Sequence, residues 1–306
     1  KNVNIIGVND NLTDGNQTYS IIINGDKNTY DSKYNSLDVD DIFIVNVDDD
    51  YPGITVSEVS GPTSEKGGTA TFTIKINTIP NDFDNNTQND NVTINIESSN
   101  KDEGIVSSDS IIFYKSNWNS EKMIAVAGID DNISDGNQSY TIKLNVDTNT
   151  KAVGYSILNP TDVNLYNIDD ETPGFYVSAV SKDTSESGSE ITADFGVRLR
   201  SAPTADVTIT VSSSDPGEGT VSTPNLTFTP TDWAAFKQVT VTGVADNLSD
   251  GDQSYAIRLG ADNTTSDLRY RYLDPPDLTL RNLDTESGGF YVSAVSKDTS
   301  ESGSEI

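Results

Sequence analysis

The chain repeats itself, and this limits what it can fold into more than any other feature. The segment Asn11-Leu-Thr-Asp-Gly-Asn-Gln-Thr-Tyr19 recurs as Asn132-Ile-Ser-Asp-Gly-Asn-Gln-Ser-Tyr140 and again as Asn247-Leu-Ser-Asp-Gly-Asp-Gln-Ser-Tyr255. The stretch from Gly174 to Ile191 returns letter for letter at Gly289 to Ile306. One full unit runs from about Gly174 to Gly288, and the unit before it is slightly longer. The extra residues fall at Asn81–Asn91, a polar, turn-rich run that reads as a loop insertion outside the core. The expected organisation is the back of one repeat at 1–52, complete repeats at 53–173 and 174–288, and the front of another at 289–306. Both ends fall inside a unit, so the chain reads as a window on a longer array. Joining 289–306 to 1–52 of a neighbouring molecule leaves the middle strands missing, which disfavours a donor-strand polymer.

Within the unit that starts at Gly174, short β-branched runs alternate with Gly, Pro, Asn and Asp clusters. Phe175–Val180, Ile191–Leu199, Val207–Val211, Leu226–Thr229, Val239–Thr242, Tyr255–Leu259 and Leu278–Leu280 make seven strands, and no stretch sustains a helical period. Seven strands in a unit of this size predict an all-β chain of tandem seven-stranded immunoglobulin-like Greek-key β-sandwiches. Trp118 and Trp233 stand at matching places after the fourth strand and are expected to pack over a sandwich edge. Tyr19, Tyr140 and Tyr255 each follow an Asp-Gly turn and fit a tyrosine corner, with the ring in the core and the hydroxyl capping a turn.

Composition narrows the function. The 306 residues include no Cys and no His, and 48 acidic against 19 basic residues leave a net charge of −29. Without histidine the usual zinc sites and Ser-His-Asp triads are excluded, and without cysteine there is no disulfide framework. Nucleic-acid binding needs clustered Lys and Arg. No run of 18 apolar residues is present to span a membrane. No signal peptide stands at the start, where Lys1 leads straight into strand-like sequence as in a processed segment. A charge this negative repels itself unless divalent cations neutralise it.

Acidic residues recur in three clusters per unit. One is a glutamate in the turn after the opening strand, at Glu65, Glu186 and Glu301. The second is the loop between the fifth and sixth strands, with Asp10 and Asp14, with Asp130, Asp131 and Asp135, and with Asp246 and Asp250. The third closes the unit at Asp48-Asp49-Asp50, Asp169-Asp170-Glu171 and Asp284-Thr285-Glu286. A weaker fourth follows the third strand, at Asp102-Glu103 and at Asp215 with Glu218. Alternate loops of a sandwich gather at one end, so the first three clusters are expected to meet. Asp-Gly is also an ordinary turn sequence, and surface acid also serves solubility.

The loop Ile129-Asp-Asp-Asn-Ile-Ser-Asp135, the Glu65 and Glu186 turns and the acidic run Asp48-Asp49-Asp50 resemble the Calx-beta repeat, a calcium-binding sandwich found in sodium–calcium exchangers and bacterial surface proteins. The strand Thr69-Ala-Thr-Phe-Thr73 and the Asn-Trp and Asp-Trp segments are similar to its bacterial branch. The resemblance implies calcium ligands at Glu65, Asp130, Asp131, Asp135, Asp169 and Asp170 in the first full unit. It implies Glu186, Asp215, Asp246, Asp250 and Asp284 in the second, with Asp10, Asp14, Asp48, Asp49 and Asp50 equivalent in the leading segment. Ala245 and Thr285 depart from the pattern, so the second unit is expected to hold fewer ions or hold them more weakly.

The expected function is structural: a stalk or filament segment of a secreted or cell-surface protein, stiffened by calcium, with neighbouring repeats and copies of itself as partners. The alternative is an adhesive module whose loops bind a surface glycan or protein, and Asn81–Asn91 with Phe83 is the candidate loop. An enzyme with paired carboxylates ranks last, because such a site needs a deep cleft.

Overall fold

The computed structural model describes residues 1–35, 37–81, 90–188, 191–297 and 301–302. Most of the Asn81–Asn91 insertion, Phe83 included, therefore lies outside the described residues. The described residues form strands, turns and loops with no α-helix, and no helix is long and apolar enough to cross a membrane. They form two compact units, Lys1–Asp131 with Asp135–Asp170, and Asn132–Ser134 with Glu171–Ile306.

The first unit opens with a two-stranded antiparallel sheet, β1 (Gln17–Ile21) and β2 (Ile42–Asn46). Nine strands follow: β3 (Ile54–Val56), β4 (Thr63–Ser64), β5 (Thr69–Ile76), β6 (Asn91–Ser98), β7 (Gly104–Val106), β8 (Ser110–Tyr114), β9 (Lys122–Gly128), β10 (Gln138–Val146) and β11 (Val163–Ile168). The second unit has the equivalent nine: β12 (Phe175–Val177), β13 (Thr184–Ser185), β14 (Thr192–Leu199), β15 (Val207–Ser213), β16 (Gly219–Val221), β17 (Asn225–Phe228), β18 (Lys237–Gly243), β19 (Gln253–Ala261) and β20 (Leu278–Leu283).

Both units have the same topology. A four-stranded sheet, β3-β5-β9-β7 or β12-β14-β18-β16, faces a five-stranded one, β4-β11-β10-β6-β8 or β13-β20-β19-β15-β17. Of the seven expected strands, the first, second and fifth lie in the four-stranded sheet and the third, fourth, sixth and seventh in the five-stranded one, an A-B-E against G-F-C-D division of an immunoglobulin-like sandwich. All seven expected strands form. The two-residue β13 and three-residue β16 join them, as β4 and β7 do in the first unit. β13 pairs in parallel with β20 and β4 with β11, whereas the other pairings are antiparallel.

Alternation drives the assembly. In β5 the residues Ala70, Phe72, Ile74 and Ile76 point inward and are buried, while the threonines between them face out. Facing them are Val92, Ile94 and Ile96 of β6 and Tyr140, Ile142 and Leu144 of β10. Phe195, Val197, Ile209, Phe228, Val241 and Ile257 build the matching core of the second unit. Each buried Ile, Leu or Phe contributes about 1.5–3 kcal/mol, so a dozen such side chains offset much of the ordering entropy of a small domain. Trp118 and Trp233 pack against these cores at their margins, as expected of edge residues.

The register of the β1–β2 pair repeats that of the closing strands of each sandwich. Gln17 lies opposite Asn46, as Gln138 lies opposite Asn167 and Gln253 opposite Asn282. Residues 289–297 form no strand.

Candidate metal centres

The acidic loop between the fifth and sixth expected strands has one backbone design in all three copies. Its asparagine sits in the left-handed region (Asn11, Asn132 and Asn247 at φ 60°, 62° and 63°), and so does its glycine (Gly15, Gly136 and Gly251 at φ 74°, 78° and 77°). Asparagine and glycine are the residues that tolerate this conformation. The glycine N–H then donates to the first aspartate of the closing run. Gly15 donates to Asp48 at 2.7 Å, Gly136 to Asp169 at 2.6 Å and Gly251 to Asp284 at 2.8 Å. The second and third acidic clusters are thus tied together in every copy.

In the second unit two groups of carboxylates converge. Glu186, Asp284 and Glu286 each bring an oxygen within 4.8 Å of the others, and so do Glu218, Asp246 and Asp250. Glu186 is carried there by the parallel pairing of β13 with β20, and its N–H donates to the Leu283 carbonyl at 3.2 Å. Its carboxyl is pushed up to about 7, first by its hydrogen bond with Glu286, then by burial and by repulsion from Glu286 and Asp284. The Thr285 N–H, which donates to Glu186 at 3.4 Å, opposes that shift only partly.

In the first unit Glu103 converges with Asp131 and Asp135 in the same way. Burial raises the Glu103 carboxyl above its ordinary value. The Asn167 hydrogen bond works against that shift, and repulsion from Asp135, Asp131 and Asp102 adds to it. Glu65 is buried and accepts the Asp170 N–H at 3.3 Å, while Lys66 pairs with Asp170 at 2.9 Å. Asp130, exposed on the loop beside Asp131, brings a carboxylate oxygen within 4.8 Å of one of Glu65. In the leading segment Asp48 accepts the N–H groups of Gly15 and Asp50, and Asp10 accepts that of Leu12. Burial, then Asp49, Asp48 and Asp10, raise the Asp50 carboxyl. Asp14 sits half-buried in the same loop.

Beneath the loops at Asp130–Asp135 and Asp246–Asp250 runs a buried polar chain. Tyr140 bonds Thr63 at 2.9 Å, and Thr63 donates to Asn167 at 2.9 Å. Asn167 in turn donates to Glu103 at 3.3 Å and to the Ile129 carbonyl at 2.8 Å. Tyr255, Thr184, Asn282, Glu218 and Val244 repeat the arrangement. The threonine spends its one proton on the asparagine, so the tyrosine is the donor to it. The tyrosine hydroxyl therefore meets the side chain of the short strand and does not cap the Asp-Gly turn, because β4 and β13, absent from the expected strand set, lie within its reach.

Among the expected ligands, the structure joins Glu65 to Asp130, Asp131 to Asp135, Asp246 to Asp250, and Glu186 to Asp284. Asp215 stands apart from Asp246 and Asp250. Its carboxylate accepts the Gly217 N–H at 3.0 Å within its own turn, and Glu218, three residues on, takes the place beside the loop. Glu103, Glu218 and Glu286 complete the groups and were absent from the expected ligand set. Ala245 stands where the first unit has Asp130, and Glu286 supplies an oxygen to the group whose pattern Thr285 breaks.

These donor sets consist of carboxylate oxygens, with neither nitrogen nor sulfur. That chemistry suits a hard cation such as calcium, which takes 6–8 oxygens in a tolerant geometry. A cation held by Glu186, Asp284 and Glu286 would relieve the repulsion among their carboxylates.

No family model and no curated protein matches this sequence. Solved structures similar in part include the calcium-binding domain CBD12 of CALX1.1, at 13% identity and a TM-score of 0.33, covering 75% of this chain and 99% of that one. The D00-D0 domain of intimin is similar at 11% identity and a TM-score of 0.26, covering 76% and 100%. Domains 5-6 of the S-layer protein SbsC show 17% identity and a TM-score of 0.22, covering 77% and 100%. At these values the likeness bears on neither family nor function, and the fold rests on the strand order of the chain itself.

Proposed function

We propose that this chain is a structural segment of a tandem-repeat protein that works outside the cell, as stalk or filament, and that calcium held by its acidic loops stiffens it. The observation that carries the reading is the thrice-repeated tie between the loop glycine N–H and the closing aspartate, with carboxylates massed around it. Glu103 with Asp131 and Asp135, and Glu65 with Asp130, would hold cations in the first unit, and two groups would do so in the second, Glu186 with Asp284 and Glu286, and Glu218 with Asp246 and Asp250. The cation would supply only charge neutralisation and a cross-link between loop and closing strand. In its absence Asn167 and Asn282 still orient Glu103 and Glu218, and the glycine N–H groups still orient Asp169 and Asp284. The net charge of −29 favours association with cations over association with anionic partners. Neighbouring repeats and further copies of the chain are its natural partners.

A calcium titration by calorimetry, paired with melting curves in chelator and in calcium, tests this. Saturable binding with a raised melting temperature is expected. No heat, with identical melts and identical small-angle scattering in both conditions, would overturn it.

A further inference from the structure

The three residues at the tip of each acidic loop do something the carboxylates do not. In the first unit the tip Asn11–Thr13 is seated on Thr78-Ile79-Pro80. The Ile79 N–H donates to the Asn11 carbonyl at 3.0 Å, and Thr13 Oγ1 donates to Thr78 Oγ1 at 3.4 Å. In the second unit the tip Asn132–Ser134 is seated on Ser201-Ala202-Pro203. The Ala202 N–H donates to the Asn132 carbonyl at 2.7 Å, Ile133 forms a parallel bridge with Ala202, and Arg269 donates to the Ser134 carbonyl at 2.6 Å.

Both receiving segments are held rigid by a buried tyrosine. The Tyr155 hydroxyl accepts the Thr78 N–H at 3.0 Å and donates to its carbonyl at 3.1 Å. The Tyr270 hydroxyl does the same for Ser201, at 3.3 and 2.7 Å. The proline that follows has no N–H, so the donor at Ile79 or Ala202 stands alone at the end of the segment, facing the tip.

The third tip, Asn247–Ser249, has the conformation of the seated two. Asn247 is at φ 63°. The Leu248 N–H donates to Asp246 at 2.8 Å, as Leu12 does to Asp10 at 2.9 Å. Ser249 Oγ donates to the Glu286 carbonyl at 3.3 Å, as Ser134 does to Glu171 at 3.1 Å. Yet Leu248 is 58% exposed, whereas Leu12 and Ile133 are half-buried. Both receiving segments described above already hold a tip.

We propose that Asn247–Ser249 is a preformed plug for the Ser/Thr–aliphatic–Pro segment of a further repeat of this type, with Leu248 covered and the Asn247 carbonyl accepting that segment's N–H. The contact is independent of any cation, and its partner rests on the tandem-repeat reading. A tip already in its bound conformation loses little entropy on seating, which suits a joint repeated many times along an array.

The absence of cysteine allows a cross-linking test on the full chain in chelator. A variant with Ile133→Cys and Ala202→Cys is expected to close an internal disulfide. For the free plug, a chain carrying Leu248→Cys is mixed with a second chain in which Asn11, Leu12 and Thr13 are replaced by glycine and Ile79→Cys exposes the emptied segment. Leu12→Asp is the milder opening should the glycine variant not fold. Disulfide-linked dimers are expected to form roughly ten-fold faster than with Met123→Cys, an equally accessible site on β9, because seating raises the local concentration. Equal rates overturn the proposal, and so does failure of the internal pair to close. Neither result touches the calcium reading, since no calcium is present.

Discussion

The Gly251 N–H donates to the Asp284 carboxylate at 2.8 Å across 33 residues of sequence, and this bond fastens the acidic loop of the second unit to its closing strand. The bond and the Glu286 N–H hold the Asp284 carboxyl below its ordinary value, so the aspartate is charged and oriented before any cation arrives. Gly251 reaches it only in the left-handed conformation, at φ 77°. A Cβ there would meet nothing within 4 Å, so the cost of Gly251→Ala is conformational, about 1–2 kcal/mol. Gly251→Asn should recover much of it, because asparagine tolerates this region. Denaturant titration of the three proteins checks the order.

Asn282 is 1% exposed and bonds Thr184, Glu218 and the Val244 carbonyl. Leucine at this position fits the space but leaves those groups without their partner. Asn282→Leu is therefore expected to destabilise the second unit by about 1–3 kcal/mol. Asn167→Leu should do the same in the first unit. Thermal melts that leave both variants at the parent temperature would contradict the buried chain described above.

A Cβ on Gly219 would meet the Tyr255 ring at 2.5 Å, and that ring is locked by its bond to Thr184. Gly219→Ala forces the ring or the strand to move, at a cost of about 1–3 kcal/mol. Gly288→Ala, where nothing lies near, is the neutral control. Equal stability of the two variants would show that Tyr255 is not confined.

The pH dependence of the second unit follows from Glu186, pushed up to about 7 by Glu286, burial and Asp284. Its folded value lies above the unfolded value of 4.5, so between these limits the folded state binds more protons. In chelator the unfavourable contribution is complete above pH 7 and is relieved as pH falls toward 4.5. The melting temperature of the second unit should then rise, from this group, between pH 7.5 and 5.5, and Glu186→Gln should flatten that trend. With calcium present the sign reverses, because protons compete for the same oxygens. A calcium gain that grows on acidification would contradict the assignment.

Much of this molecule was legible in its sequence. The alternation in Ile191–Leu199 places Phe195 and Val197 in the core, and they are there. The strands β13 and β16 were not legible, since two or three residues contain no period to read. Tyr155 and Tyr270 lie in polar loops and give no sign of burial, yet each is 1% exposed because its hydroxyl satisfies the backbone of a distant segment. Asp215 and Glu218 share one turn, and composition cannot say which of them turns toward Asp246. Glu218 does so because Asn282 donates to it, while Asp215 is engaged by the Gly217 N–H.

The sequence by itself determined the repeat, the all-β class, the strand faces and the loops that carry acid, because periodicity and turn chemistry are local properties. Only the tertiary structure decided which carboxylates meet. Glu186 reaches Asp284 and Glu286 through the parallel pairing of Thr184 with Asn282, and Gly251 reaches Asp284 through the register of β19 on β20. Convergence of side chains remote in sequence depends on pairing and register, which are settled by packing two hydrophobic faces together and not by any local pattern of residues.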